Sequence, residues 1–161
     1  YYYSKILYMK FAKAILVTVF VFCMNTVIFS QSVYDAELAQ KLSADDYGMK
    51  KYVMAFLKSG SVKLADSVKQ TELQMAHLKN IGKLVKEGKL VVAGPFLDDQ
   101  PVRGIYIFNV TTIDEAKKLT ETDPAIKAGV LEMELHPWYG SAALMETINI
   151  HKRLEKKSIT D

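Results

Sequence analysis

From residue 51 onward the chain switches between two hydrophobic rhythms, and each switch marks an element. Lys51 to Leu57 is apolar on both faces and reads as a first strand. Ser59, Gly60 and Ser61 begin a loop. From Asp66 to Glu87 the rhythm is helical: Leu73, His77, Ile81, Leu84 and Val85 share one face, and Gly88 supplies the stop. Leu90 to Ala93 is a second strand, halted by Gly94 and Pro95. Asp98 to Pro101 is a turn. Gly104 to Val110 alternates as a third strand, with Ile105 and Ile107 opposite Tyr106, Phe108 and Val110. Thr112 and Glu115 form a capping box that opens a second helix, which turns Ala116 and Leu119 inward and ends near Thr122. Asp123 and Pro124 open a further short turn closed by Gly129. Val130 to His136 is the fourth strand, with Leu131, Met133 and Leu135 against Glu132, Glu134 and His136; Pro137 is expected to end it. Ser141 to Leu154 is expected to be one C-terminal helix, and residues 34–47 a short helical arm.

The order β-α-β-β-α-β is the split βαβ, or ferredoxin-like, unit. The fold class is therefore α+β: a four-stranded antiparallel sheet with helices on one face, plus the N-terminal arm and the C-terminal helix. Tyr52, Met54, Phe56, Tyr106 and Phe108 are more than two helices can cover. The excess predicts a second, buried sheet face, covered by a second copy in a two-fold dimer or in part by the C-terminal helix.

Ahead of the domain, Met9 to Lys13 is a short basic start, Ala14 to Phe29 is an apolar run, and Ser30-Gln31-Ser32 offers a small residue where cleavage needs one. Residues 1–30 thus read as a leader and secretory signal peptide cut near Ser30. The run is shorter than the ~20 residues of a spanning helix, so no stable membrane anchor is expected. Cleavage leaves 131 residues, one domain, divided as an arm (31–49), a core (50–139) and a C-terminal helix and tail (140–161). Lys5, Lys10 and Lys13 depart with the leader, so the 21 basic residues fall to 18, equal to the 18 acidic ones. The basic balance belongs to the leader, and no nucleic-acid surface is indicated. Cys23 departs as well, which removes disulfides, thiolate metal sites and thiol nucleophiles from the expected mature chain. A periplasmic or secreted location follows.

His77 carries the main chemical interest. A titratable ring on an apolar helix stripe needs a hydrogen-bonding partner. It is either a core histidine bonded to a backbone carbonyl or a general base. Asp123 is a helix cap by its sequence context. One of its oxygens can cap while the other orients an imidazole. Pro95 and Phe96 are candidate pocket walls, Arg103 a candidate anion contact, and Trp138 a candidate stacking surface or a core side chain. His77, His136 and His151 have no metal-binding spacing, so no metal site is expected. The Asp98–Asp99 turn lacks the oxygen spacing of a calcium loop, and Ser59-Gly60-Ser61 is not a serine-nucleophile elbow.

His77-Leu78, Gly88-Lys89-Leu90, Ala93-Gly94-Pro95-Phe96, Glu115-Ala116, Asp123-Pro124 and Pro137-Trp138 occur in an order that resembles the YciI-like family of the dimeric α+β-barrel group. The resemblance spans residues 50–139. It implies a ferredoxin-like subunit, a homodimer, no cofactor, and a histidine–aspartate site that carries over to His77 and Asp123. It also implies proton-transfer chemistry of lyase or isomerase type on a small molecule. The competing expectation is a non-catalytic dimeric module of the same fold that binds a small molecule or serves a structural role.

Overall fold

The structure is a computed structural model that describes residues 34–158. The leader and signal peptide expected over residues 1–30 lie outside the described residues. The chain divides into two compact units, Tyr1–Asp35 and Ala36–Asp161. Of the first, only Tyr34 and Asp35 are described. Among the described residues no helix is long and apolar enough to cross a membrane.

The second unit runs α1 (Ala36–Leu42), β1 (Met49–Ser59), α2 (Ser67–Lys86), β2 (Leu90–Pro95), β3 (Val102–Phe108), α3 (Ile113–Thr120), α4 (Pro124–Lys127) and β4 (Leu131–Ser141). A 3-10 turn (Ala142–Glu146) and α5 (Thr147–His151) follow. The strands form one sheet in the order β2-β3-β1-β4, every neighbouring pair antiparallel. This is the α+β, ferredoxin-like arrangement that the element order predicts. Its helix starts are sequence-encoded. The Asp66 carboxylate accepts from the N–H groups of Val68 and Lys69 at α2, and the Thr112 hydroxyl accepts from the Glu115 N–H at α3. Gly88 ends α2 in the left-handed region at φ 65°.

The sheet faces divide differently from the expectation. Register pairs Ala55 with Tyr106 and Val53 with Phe108. Directly paired residues point the same way, so Tyr106 and Phe108 face the helices with Val53, Ala55 and Leu57, closing a core with Leu84, Leu90 and Ala116. Tyr52, Met54 and Ile107 lie on the opposite face, where Trp138, Leu144 and Met145 cover them. The C-terminal segment thus covers part of that face.

Two boundaries also differ. Pro137 does not end β4; the strand continues to Ser141. β4 is an edge strand, where a proline's missing N–H leaves no inner ladder bond unmade. The C-terminal segment is a 3-10 turn and a five-residue helix rather than one helix. Three of the five residues of that helix, Thr147, Ile148 and Ile150, are β-branched and propagate a helix poorly.

Candidate functional site

α2 buries its apolar stripe against the sheet, and His77 goes in with it at 7% exposure. Asp123 arrives from the other side. The tight α3–α4 junction puts it at the N-cap of α4, with Pro124 fixing the first helical position. It is fully buried. Its Oδ1 accepts the Ala125 N–H at 2.8 Å, and its Oδ2 lies 2.7 Å from His77 Nδ1. An ionised carboxylate can only accept, so Nδ1 carries the proton. In the neutral ring Nε2 is then an acceptor. The Tyr106 hydroxyl meets it at 3.2 Å, donating from the central strand β3. The two rings are nearly parallel, 19° between planes and 6.2 Å between centroids. Burial, and secondarily the negative charge of Asp123, push the Tyr106 phenol far above its ordinary value, so it stays protonated.

A second tie runs beside the first. Asn80, one helical turn beyond His77, lies 3.1 Å from Thr122 Oγ1 through Oδ1. Thr122 has one hydroxyl hydrogen, and the Leu119 carbonyl, at 2.7 Å, is the nearer acceptor. Turning the amide over lets Nδ2, buried and otherwise unpartnered, donate to that hydroxyl. Either way the residue preceding Asp123 is fastened to α2, which holds the carboxylate on the ring.

The pair stands beside a hollow of about 510 Å³, within the range of small-molecule sites. His77 and Tyr106 line it, with Leu57, Leu73, Ile81 and Leu131 among its apolar walls. Asp123 sits behind His77 and does not line it. Gly94 and Gly104 leave the β2–β3 wall without side chains; a Cβ on Gly104 would stand 2.6 Å from the Gly94 oxygen.

Of the other expected site residues, Pro95 and Arg103 line the hollow. Phe96 does not, and the residue is 47% exposed just past the end of β2. Trp138 is not there either: it pairs with Tyr52 across β1 and β4, on the opposite sheet face, their rings 5.9 Å apart. Its ring lies where a Cβ on Gly140 would be, which gives it a packing role on that face. His136 is on the outer face as well, 2.8 Å from Glu134 and edge-on to Phe56. Among the described residues no three His, Cys, Asp or Glu side chains gather into a metal site.

Tyr106 is the site residue that sequence reading missed. The alternation of β3 separated it from Ile105 and Ile107, but nothing local said which face the helices would take. Asn80 was visible as a polar residue three positions after His77, at a spacing that shares its helix face.

Residues 50–139 match the model of the YCII-related domain. No curated protein matches the sequence. One solved structure to which the chain is similar is 5-chloro-2-hydroxyhydroquinone dehydrochlorinase from Burkholderia phenoliruptrix AC1100, in complex with 2,5-dihydroxybenzoquinone. The likeness has 20% identity and a TM-score of 0.41, covering 53% of this chain and 92% of that one.

Proposed function

The chain belongs to the YCII-related domain family, and from that premise we propose a small exported enzyme that moves a proton on a small molecule, with His77 as its base. It works without a cofactor, as a homodimer, in the periplasm or outside the cell. The reaction is of lyase or isomerase type. The observation that carries this reading is the buried contact of Asp123 with Nδ1 of a ring whose Nε2 meets a neutral phenol at a pocket wall.

In this reading each group has a step. Nδ1–H is already given to Asp123, so Nε2 is the nitrogen with a lone pair to spend. Its partner is the Tyr106 hydroxyl, which makes the phenol the entry to the ring. As the substrate C–H bond breaks, its proton passes to the Tyr106 oxygen and the phenolic proton passes to Nε2. The phenol ends neutral, in keeping with the burial that disfavours its anion. The ring ends as an imidazolium, and the Asp123 carboxylate balances it. The electron pair left on the substrate then expels a leaving group, or the proton returns at another carbon. Apolar walls keep water from quenching the intermediate.

Solvent deuterium uptake tests this whatever the product turns out to be. Small molecules with acidic C–H bonds are incubated with the protein in D2O and followed by NMR. Exchange of a substrate should fall roughly a hundred- to ten-thousand-fold in His77→Ala and His77→Gln while both stay folded. Exchange at the parent rate in a folded His77 variant would remove the base assignment.

A further inference from the structure

The same pocket is lined by both buried and exposed polar groups. His77 and Tyr106 are buried, at 7% and 2% exposure. Lys63 is exposed, and the Arg103 side chain is 40% exposed. The rest of its lining is mostly apolar, with Ser59, Gln70 and Gln74 as the polar exceptions. Among the described residues that line it there are two basic side chains, Lys63 and Arg103, and no Asp or Glu. A neutral ligand gives such an arrangement no use, and a multiply charged one would have to shed its hydration against the apolar walls.

We propose that the pocket takes a small apolar-bodied molecule bearing one carboxylate, held by Lys63 and Arg103, with its carbon frame reaching Tyr106 and His77. This deepens the proposed function and rests on the same site. The planar guanidinium matches a carboxylate in two-point contact, and the ammonium adds a point charge. Arg103 already models the interaction: its Nη1 donates to Asp99 at 2.8 Å and lies 3.4 Å from the Gln100 carbonyl. The Asp99 side chain is fully exposed, so that pair is weakly held and a ligand carboxylate can displace it. An anion in the pocket also favours the imidazolium formed during proton transfer.

Benzoate and benzamide share a shape and differ in charge, so titrating the full chain with each by calorimetry and by amide chemical shifts isolates the carboxylate. Benzoate should bind at least about tenfold tighter, perturb residues around the hollow, and lose its advantage as salt is raised. The double variant Lys63→Gln with Arg103→Gln should bind the two probes alike with an unchanged melting temperature, while Lys86→Gln, outside this pocket, keeps the preference. Equal affinities in the parent protein, a preference that survives the double change, or no saturable benzoate binding at millimolar concentration would overturn the assignment. The preference should persist in His77→Ala, which separates the two ideas. Charge selection without any proton exchange would defeat the enzyme and leave the anion site. Exchange on a neutral compound without charge selection would do the reverse.

Discussion

Asp123 has two oxygens and two duties, and the division makes its substitutions informative. In Asp123→Asn only one oxygen remains. If it keeps the Ala125 N–H, the new amide must donate towards His77 Nδ1, and the ring is driven to carry its proton on Nε2 instead. We expect folding to persist and proton exchange to fall by orders of magnitude, read by thermal melt and deuterium uptake together. Asp123→Ala instead orphans the Ala125 N–H and the His77 N–H in a closed site, at about 1–3 kcal/mol for each donor. A denaturant titration should show that loss. Tyr106 gives a pH prediction. Its value in the fold lies above the ordinary 10.0, chiefly through burial and then through Asp123, so folding favours the neutral phenol. Its contribution is complete below about pH 10 and is lost as pH rises beyond it, because the unfolded chain ionises first. Stability measured through the alkaline range should fall less steeply in Tyr106→Phe. Tyr52, also raised by burial, should leave a residual slope.

Helices and strands were legible to different depths. The ends of α2 and α3 could be read directly, because Asp66, Gly88 and the Thr112–Glu115 box act within a few residues of themselves. The alternation of each strand was legible too. What alternation lacks is register: it separates Tyr106 from Ile107 but does not match either to a face of β1, and only the Ala55–Tyr106 pairing does. That is why Tyr106 was grouped with Tyr52 on the wrong face and why its contact with His77 went unseen. Pro137 misled for a related reason, since its meaning depends on whether β4 is an edge or a centre strand. The β2–β3 wall supplies an element-scale test. In Gly104→Ala the new methyl would lie 2.6 Å from the Gly94 carbonyl oxygen, and backbone must move to admit it. A loss of about 1–3 kcal/mol in a thermal or denaturant melt is expected, with a narrower pocket.

At the scale of the molecule, the element order was enough to give the ferredoxin-like layout, while the pairing of His77 with Asp123 came from the family resemblance and not from their spacing. Arg103 was legible as a candidate anion contact, but its combination with Lys63 was not, because the two come from separate segments that only the fold brings to one pocket. The second sheet face keeps Met54, Phe56 and Ile105 partly exposed after the C-terminal segment has covered Tyr52, Val91 and Ile107. The proposed dimer would use that remainder. Sedimentation at micromolar concentration should give twice the chain mass, and Phe56→Asp should shift it towards one. A monomeric parent protein would end the dimer proposal. The pair at the centre of the chemistry can be observed in the intact protein by 15N NMR of the His77 ring near neutral pH. The expected result is a protonated Nδ1 bonded to Asp123, with Nε2 as the acceptor in the neutral ring. A ring protonated on Nε2 alone would contradict it.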